Sequence, residues 1–272
     1  MIANPRPVGD LLREWRQRRR VSQLDLALDA EISPKHVSFV ESGRARPSRE
    51  MIVRLAEHLQ VPLRERNTLL HAAGFAPVYA ERSLDDPALA AARAAVNLVL
   101  KGHEPFPALA VDRHWSLIAS NGAVGFLLEG IDESLLAPPV NVLRVSLHPK
   151  GLAPRIANLA EWRRHVLERL RRQVDATNDP GLVELMRELR AYPAGDTREE
   201  TPRAGRDYAG VVIPFELRTP AGILAFFGTT TVFGTPVDIT LSELAVEAFF
   251  PADEATAKSL TRDPGSGTRD MD

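Results

Sequence analysis

The sequence predicts an all-α N-terminal domain of five short helices, followed by a larger α+β domain. Three observations carry this reading. From Val8 to Gly74, apolar residues recur at helical spacing, in runs that open on a serine or proline and close near a glycine. The C-terminal third changes to stretches rich in Val, Ile, Phe and Thr and bounded by Pro and Gly, which suits strands. Charge divides along the same line. Residues 1–79 hold 13 Lys+Arg and 9 Asp+Glu, a balance of +4, while the other 193 hold 21 and 27, a balance of −6; together they give the formal −2. A basic segment joined to an acidic one points to nucleic acid at the basic end. The boundaries drawn are 1–79 for the helical domain, 80–104 for a linker and connecting helix, 105–257 for the α+β domain, and 258–272 for a disordered tail.

The helices follow in order. Val8, Leu11, Leu12 and Trp15 form one face of the first, with Arg13, Arg16, Arg18, Arg19 and Arg20 around the rest. Ser22 caps the second, which carries Leu24, Leu26, Ala27 and Leu28. Ser33-Pro34 opens the third, where proline at the first helical position loses no hydrogen bond. Val37 and Val40 lie on it and Gly43 ends it. Ser48 caps a fourth, through Met51, Ile52, Leu55 and Leu59; Pro62 opens a fifth, ending at Gly74. Helices two and three, joined at Ala30–Ile32, have helix-turn-helix proportions.

A linker is placed at Pro77–Pro87 and a helix at Leu89–Leu100, with Leu109–Val111 and Trp115–Ala119 as a hairpin. A short helix is expected after Asn121, amphipathic helices over Arg155–Val174 and Gly181–Leu189, and strands over Val211–Leu217, Ile223–Val232 and Leu244–Phe250. Helices over one face of such a sheet make an α+β fold of the PAS-like kind.

The absence of cysteine excludes disulfides, thiolate zinc sites, iron–sulfur clusters and cysteine nucleophiles. No run of about 18 apolar residues crosses a membrane. The basic N-terminus lacks a signal-peptide core, so a soluble cytoplasmic protein is expected. An enzyme is not expected: there is no glycine-rich phosphate loop, no paired-histidine metalloprotease helix and no G-x-S-x-G elbow. No metal site and no cofactor are expected. The rival to that expectation is a bound cofactor such as haem or flavin; for haem one axial histidine at His148 or His165 would suffice.

The string Arg16…Ser22-Gln23…Leu26-Ala27…Ile32-Ser33…Val37-Ser38…Glu41-Ser42-Gly43…Pro47-Ser48 resembles the Cro/C1 (Xre-type) helix-turn-helix family over about residues 8–74. That resemblance implies a lambda-repressor-like domain, double-stranded operator DNA as partner, and an internal Arg16–Glu41 ion pair. The third helix would lie in the major groove. Gln23, at the start of the second helix, suits a phosphate. Ser33, Lys35, His36, Ser38 and Phe39 lie at or near the groove end, where Lys35 suits guanine and Phe39 a thymine methyl. Arg44 and Arg46 follow in the loop and suit the neighbouring phosphates. One such unit reads a half-site, so a homodimer is expected.

A second resemblance covers about residues 105–257. Val111-Asp112…Trp115-Ser116-Leu117…Asn121, Leu147-His148-Pro149, Arg155-Ile156-Ala157-Asn158, Phe226-Phe227-Gly228-Thr229-Thr230-Thr231 and Phe249-Phe250-Pro251-Ala252-Asp253-Glu254 are similar to the ligand-binding domain of MmyB-type transcription regulators. That resemblance implies a regulator controlled by a small apolar or fatty-acid-like ligand. Trp115, Phe126, Trp162, Phe227, Thr229 and Thr231 are candidate cavity walls between sheet and helices. His148, Arg155 and Asn158 are candidate partners for a ligand carboxylate, which needs a cation or several donors. The alternative is a second domain that serves only dimerisation or protein contacts.

Overall fold

In the computed structural model, which describes residues 6–177, 179–193 and 213–261, the N-terminal helices are α1 (Val8–Arg18), α2 (Gln23–Asp29), α3 (Pro34–Glu41), α4 (Arg49–His58) and α5 (Leu63–Ala72). The caps act as the sequence reads. Ser22 Oγ accepts from Asp25 N at 3.0 Å while the Asp25 carboxylate accepts from Ser22 N, closing a capping box. Ser33 and Ser48 accept from the amides of His36 and Met51, each at 3.2 Å. Leu12, Trp15, Leu26, Val37, Ile52, Leu55 and Leu70 are buried together. The first compact unit of the chain comprises Met1–Ser83, Asp175–Thr177 and Thr235–Ser242.

Helix α1 crosses α3 at Gly9, where a Cβ would lie 2.3 Å from Val40 O and 2.9 Å from Glu41 O. Both obstacles are backbone, so neither yields by a side-chain rotation. Gly9→Ala is expected to lower the stability of this unit by about 1–3 kcal/mol, as overpacking does. A urea titration followed through Trp15 reads it, and an unchanged midpoint would mean that α1 slides without cost.

The second unit holds α6 (Ala90–Gly102), β1 (Ala108–Val111), β2 (Leu117–Ser120), α7 (Gly125–Leu128), α8 (Glu133–Leu136), α9 (Val142–Leu147), α10 (Leu159–Thr177, to residue 174), α11 (Pro180–Ala191), β3 (Phe215–Thr219), β4 (Gly222–Val232), β5 (Ala245–Pro251) and α13 (Glu254–Thr261); α12 (Ile239–Ser242) falls in the first unit. Among the described residues the sheet is five-stranded, ordered β2-β1-β5-β4-β3 and antiparallel throughout.

Register assigns the two faces. Gly228 pairs with Phe249, Thr230 with Glu247, Glu247 with Leu109, and Phe226 with Phe215, so these side chains share one face. That face meets α9, α10 and α11 through Leu143, Val166, Leu170 and Leu185. The opposite face carries Ala108, Ala110, Val246 and Ala248 against Val96 and Leu100 of α6.

The structure departs from expectation at several places. Trp115 is not in a strand: it sits in the turn before β2 with φ 67°, while Asp112 Oδ1 accepts from the amides of His114 and Ser116, each at 2.8 Å. Helix α10 begins at Leu159, because Arg155 lies in a preceding 3-10 turn. Helices α8 and α9 occupy a stretch with no predicted element; Asn141 caps α9 by accepting from the Leu143 and Arg144 amides. Strand β3 starts at Phe215, and the Val211 end of the predicted strand lies outside the described residues. Helix α13 runs to Thr261, across the start of the expected tail. It is held by Asp253 at its N-terminus and by fully buried Thr256, whose Oγ1 accepts from Ala225 N at 2.9 Å. Residues 262–272 lie outside the described residues. Among the described residues no helix is long and apolar enough to cross a membrane.

Candidate functional site

The helix-turn-helix is set by a buried polar network. Arg16 Nε and Nη2 donate to both oxygens of Glu41, at 2.6 and 2.9 Å, and Gln23 Nε2 donates to Glu41 Oε2 at 2.7 Å. The hydrogen bond to Glu41 is the main reason the Arg16 guanidinium is pushed above its ordinary pKa. One carboxylate at the end of α3 thus ties α3 to α1 and to the first residue of α2. Between α2 and α3, Glu31 takes φ 52° and Ile32 N donates to Ala27 O at 2.9 Å, which closes the turn.

Lys35, Arg44 and Arg46 are exposed, and His36, Ser38 and Phe39 are half-buried. The Lys35 ammonium lies 5.5 Å and the Arg44 guanidinium 5.8 Å from the Phe39 ring centroid, so two cations flank one aromatic ring. The backbone N–H groups of Arg44 and Ala45 both donate to Phe39 O, which fixes the start of the loop against α3. Ser33 is spent as the cap of α3, and one amide N–H of Gln23 is spent on Glu41.

In the second unit the sheet and α10 enclose a cavity of about 350 Å³. Its walls are mainly apolar: Leu109, Trp115, Leu117, Leu127, Val142, Val145, Trp162, Val166, Phe215 and Phe249 among them. Among the described residues, four polar side chains reach it, namely Ser146, His165, Arg169 and Glu247. Trp162, His165, Val166 and Arg169 are spaced along one face of α10, which brings them to the same wall. Trp162 Nε1 donates to Ser146 Oγ at 2.9 Å, and its ring stacks on His165 at 5.5 Å. Arg169 donates to both Glu247 oxygens, at 2.6 and 2.8 Å, and to Thr230 Oγ1 at 2.7 Å. Its guanidinium lies 4.6 Å from the Trp115 ring centroid. Burial holds the His165 pKa below its ordinary value, with Arg169 and Arg172 adding to the effect.

Of the residues expected in the cavity, Trp115 and Trp162 line it. Phe227, Thr229 and Thr231 fall on the opposite face of β4, where Phe227 stacks on Phe250 at 5.3 Å. Phe126 packs in the apolar cluster around Phe226, outside the lining. Arg155 donates to the carbonyls of Leu127, Glu129 and Phe126, at 3.2, 2.7 and 3.3 Å. Asn158 joins the start of α10 to β3, donating to Pro214 O at 2.8 Å and accepting from Glu216 N at 3.2 Å. His148 Nδ1 accepts from Lys150 N at 3.0 Å, with its ring edge-on to Tyr192. These three residues tie backbone together away from the cavity lining. Of the cavity's own polar groups, Ser146, Arg169 and Glu247 were not among the expected residues, and His165 was named only as the axial histidine of the rival haem reading. For two of them the signal was present: His165 and Arg169 follow Trp162 at helical spacing.

A helix-turn-helix with a cationic rim, in one chain with a domain built around an apolar cavity, defines a DNA-binding transcription regulator with a ligand-binding domain. Residues 7–69 match a helix-turn-helix domain, and residues 92–262, well over half of the chain, match the MmyB-like transcription regulator ligand binding domain. The chain belongs to this family of MmyB-like transcription regulators. A search of curated proteins finds no match.

Proposed function

We propose that the protein is an Xre-type, one-component regulator that binds operator DNA as a homodimer in the cytoplasm and is controlled by a small apolar or fatty-acid-like ligand. The observation that carries this reading is the cavity of about 350 Å³ between α10 and the sheet, a volume within the range of small-molecule sites. A domain kept only for dimerisation or protein contacts has no need of such a space, and a filled core would be more stable. The antiparallel strand order β2-β1-β5-β4-β3 supports a PAS-like sensor, although α6 covers the face opposite α9, α10 and α11, where helices were expected over one face alone. The reading is of a binder and not an enzyme: the two charged groups of the cavity, Arg169 and Glu247, are spent on each other. Ligand acts on DNA affinity by binding one dimer arrangement more tightly than the other.

The DNA half is tested by footprinting and salt titration. Lys35→Ala with Phe39→Ala relaxes sequence preference, each lost base contact costing about 1–3 kcal/mol. Arg46→Ala weakens binding to all sequences and lowers the salt slope by about one unit. Wild-type footprints and slopes in both variants would remove α3 from the groove. Native mass spectrometry of the purified chain tests the ligand half, with a lipid-sized mass on a dimer as the expected result.

A further inference from the structure

The cavity already balances its own charge. Among the described residues lining it, the ionisable groups are His165, Arg169 and Glu247. Arg169 and Glu247 form a two-bond ion pair, Thr230 takes a further Arg169 donor, and the Trp115 ring covers the guanidinium. Glu247 is largely buried, with 9% of its side chain exposed, and Arg169 is partly so, with 31%, so the pair lines the cavity with its acid inward. His165 is desolvated beside a cation, which favours its neutral form, with one N–H and one lone pair. The other cation expected for a carboxylate, Arg155, gives its guanidinium to three backbone carbonyls. No uncompensated positive charge is left, because the N–H donors that Arg169 keeps beyond these three bonds belong to a guanidinium already neutralised by Glu247. Ser146 Oγ accepts from Trp162 Nε1, so its hydroxyl proton is available to an oxygen in the cavity.

Resting on the ligand-gated reading above, we propose that this cavity selects an uncharged amphiphile, an apolar chain ending in a hydroxyl, ester or amide, over the corresponding carboxylate. An anion would leave water without meeting an unpaired cation, and buried charge is tolerated only when compensated. A neutral head group needs only Ser146 and His165. At about 30 Å³ for each water-sized unit, the cavity takes on the order of a dozen non-hydrogen atoms.

The test compares 1-decanol with decanoate at pH 7.5 on the full chain, stripped of co-purifying small molecules, by calorimetry and by tryptophan fluorescence. The wild type is expected to bind decanol at least about tenfold more tightly. Apolar walls alone favour the alcohol to some extent, so the decisive quantity is how that ratio changes with cavity charge. Glu247→Gln leaves Arg169 uncompensated and is expected to shift the ratio toward decanoate by about tenfold or more. Arg169→Met with Glu247→Met removes both charges and keeps the preference for the alcohol, which decides the matter if the single variant does not fold. Wild-type binding of decanoate as tight as that of decanol, or an unchanged ratio in Glu247→Gln, overturns the ligand class and leaves the cavity as a ligand site. Binding of neither probe, with no fluorescence change, overturns the ligand-gated reading and this proposal with it.

Discussion

Replacing Glu41 with alanine is expected to lower the stability of the five-helix unit by about 3–5 kcal/mol. The side chains of Arg16 and Glu41 are only 12% and 4% exposed, so removing the acid leaves a guanidinium with little access to water and no counter-charge. Arg16 keeps one bond, from Nη1 to Val21 O at 2.9 Å, and Gln23 loses the acceptor of its amide. The loss exceeds that of an exposed ion pair because the surviving partner is stranded. Replacing both ends, Arg16→Met with Glu41→Leu, strands neither and is expected to stay within about 1–2 kcal/mol of wild type. Urea denaturation read by hydrogen exchange at the amides of α1 to α5 separates this unit from the rest of the chain. A Glu41→Ala variant as stable as wild type would mean that water replaces the carboxylate. Because only the single variant leaves Arg16 stranded between α1 and α3, DNA affinity is expected to fall more in it than in the double one.

The helix ends around that network were legible in the sequence for a physical reason, whereas the Arg16–Glu41 pair was expected only from the family resemblance and the Gln23 bond to Glu41 was not expected. Short helices have their ends fixed by caps, turn residues and prolines, which are local, and Ser22, Ser33, Pro34, Ser48 and Gly43 report them directly. The cavity is a long-range object and was legible only in part. A strand's facing depends on a period of two, and Phe226-Phe227-Gly228-Thr229-Thr230-Thr231 has no alternation of polarity to reveal which side chains turn inward. Pairing with Phe249 and Glu247 decides it, placing Gly228 and Thr230 on the cavity face and Phe227, Thr229 and Thr231 behind it. Arg155, Asn158 and His148 were expected near a ligand by residue type, but type does not separate a cation free for a ligand from one bound to backbone. Arg169 looked like one charge among many on an amphipathic helix until Glu247, 78 positions away, came beside it.

The second large effect is expected at Trp115. Cutting this ring back to alanine removes a side chain that is 7% exposed, along with the bond from Nε1 to Gln173 Oε1 at 2.8 Å and the ring beneath Arg169. Loss of a buried aromatic costs about 3–5 kcal/mol, and the cation contact adds to it. Backbone geometry works in the other direction. At φ 67° a residue bearing a Cβ is held in the left-handed region at a cost of about 1–2 kcal/mol, which glycine avoids. Trp115→Gly is therefore expected to equal Trp115→Ala in stability or exceed it by about 1 kcal/mol, the reverse of the usual order of these residues in a strand. Denaturation followed through Trp162 measures both. If the glycine variant proves the weaker, the turn does not hold position 115 in the left-handed region, and Asp112 is not setting it through the His114 and Ser116 amides. If the order is as expected, the strain is there to aim a large ring at the cavity, and Trp115→Phe should keep most of the stability and of the decanol binding that Trp115→Ala loses.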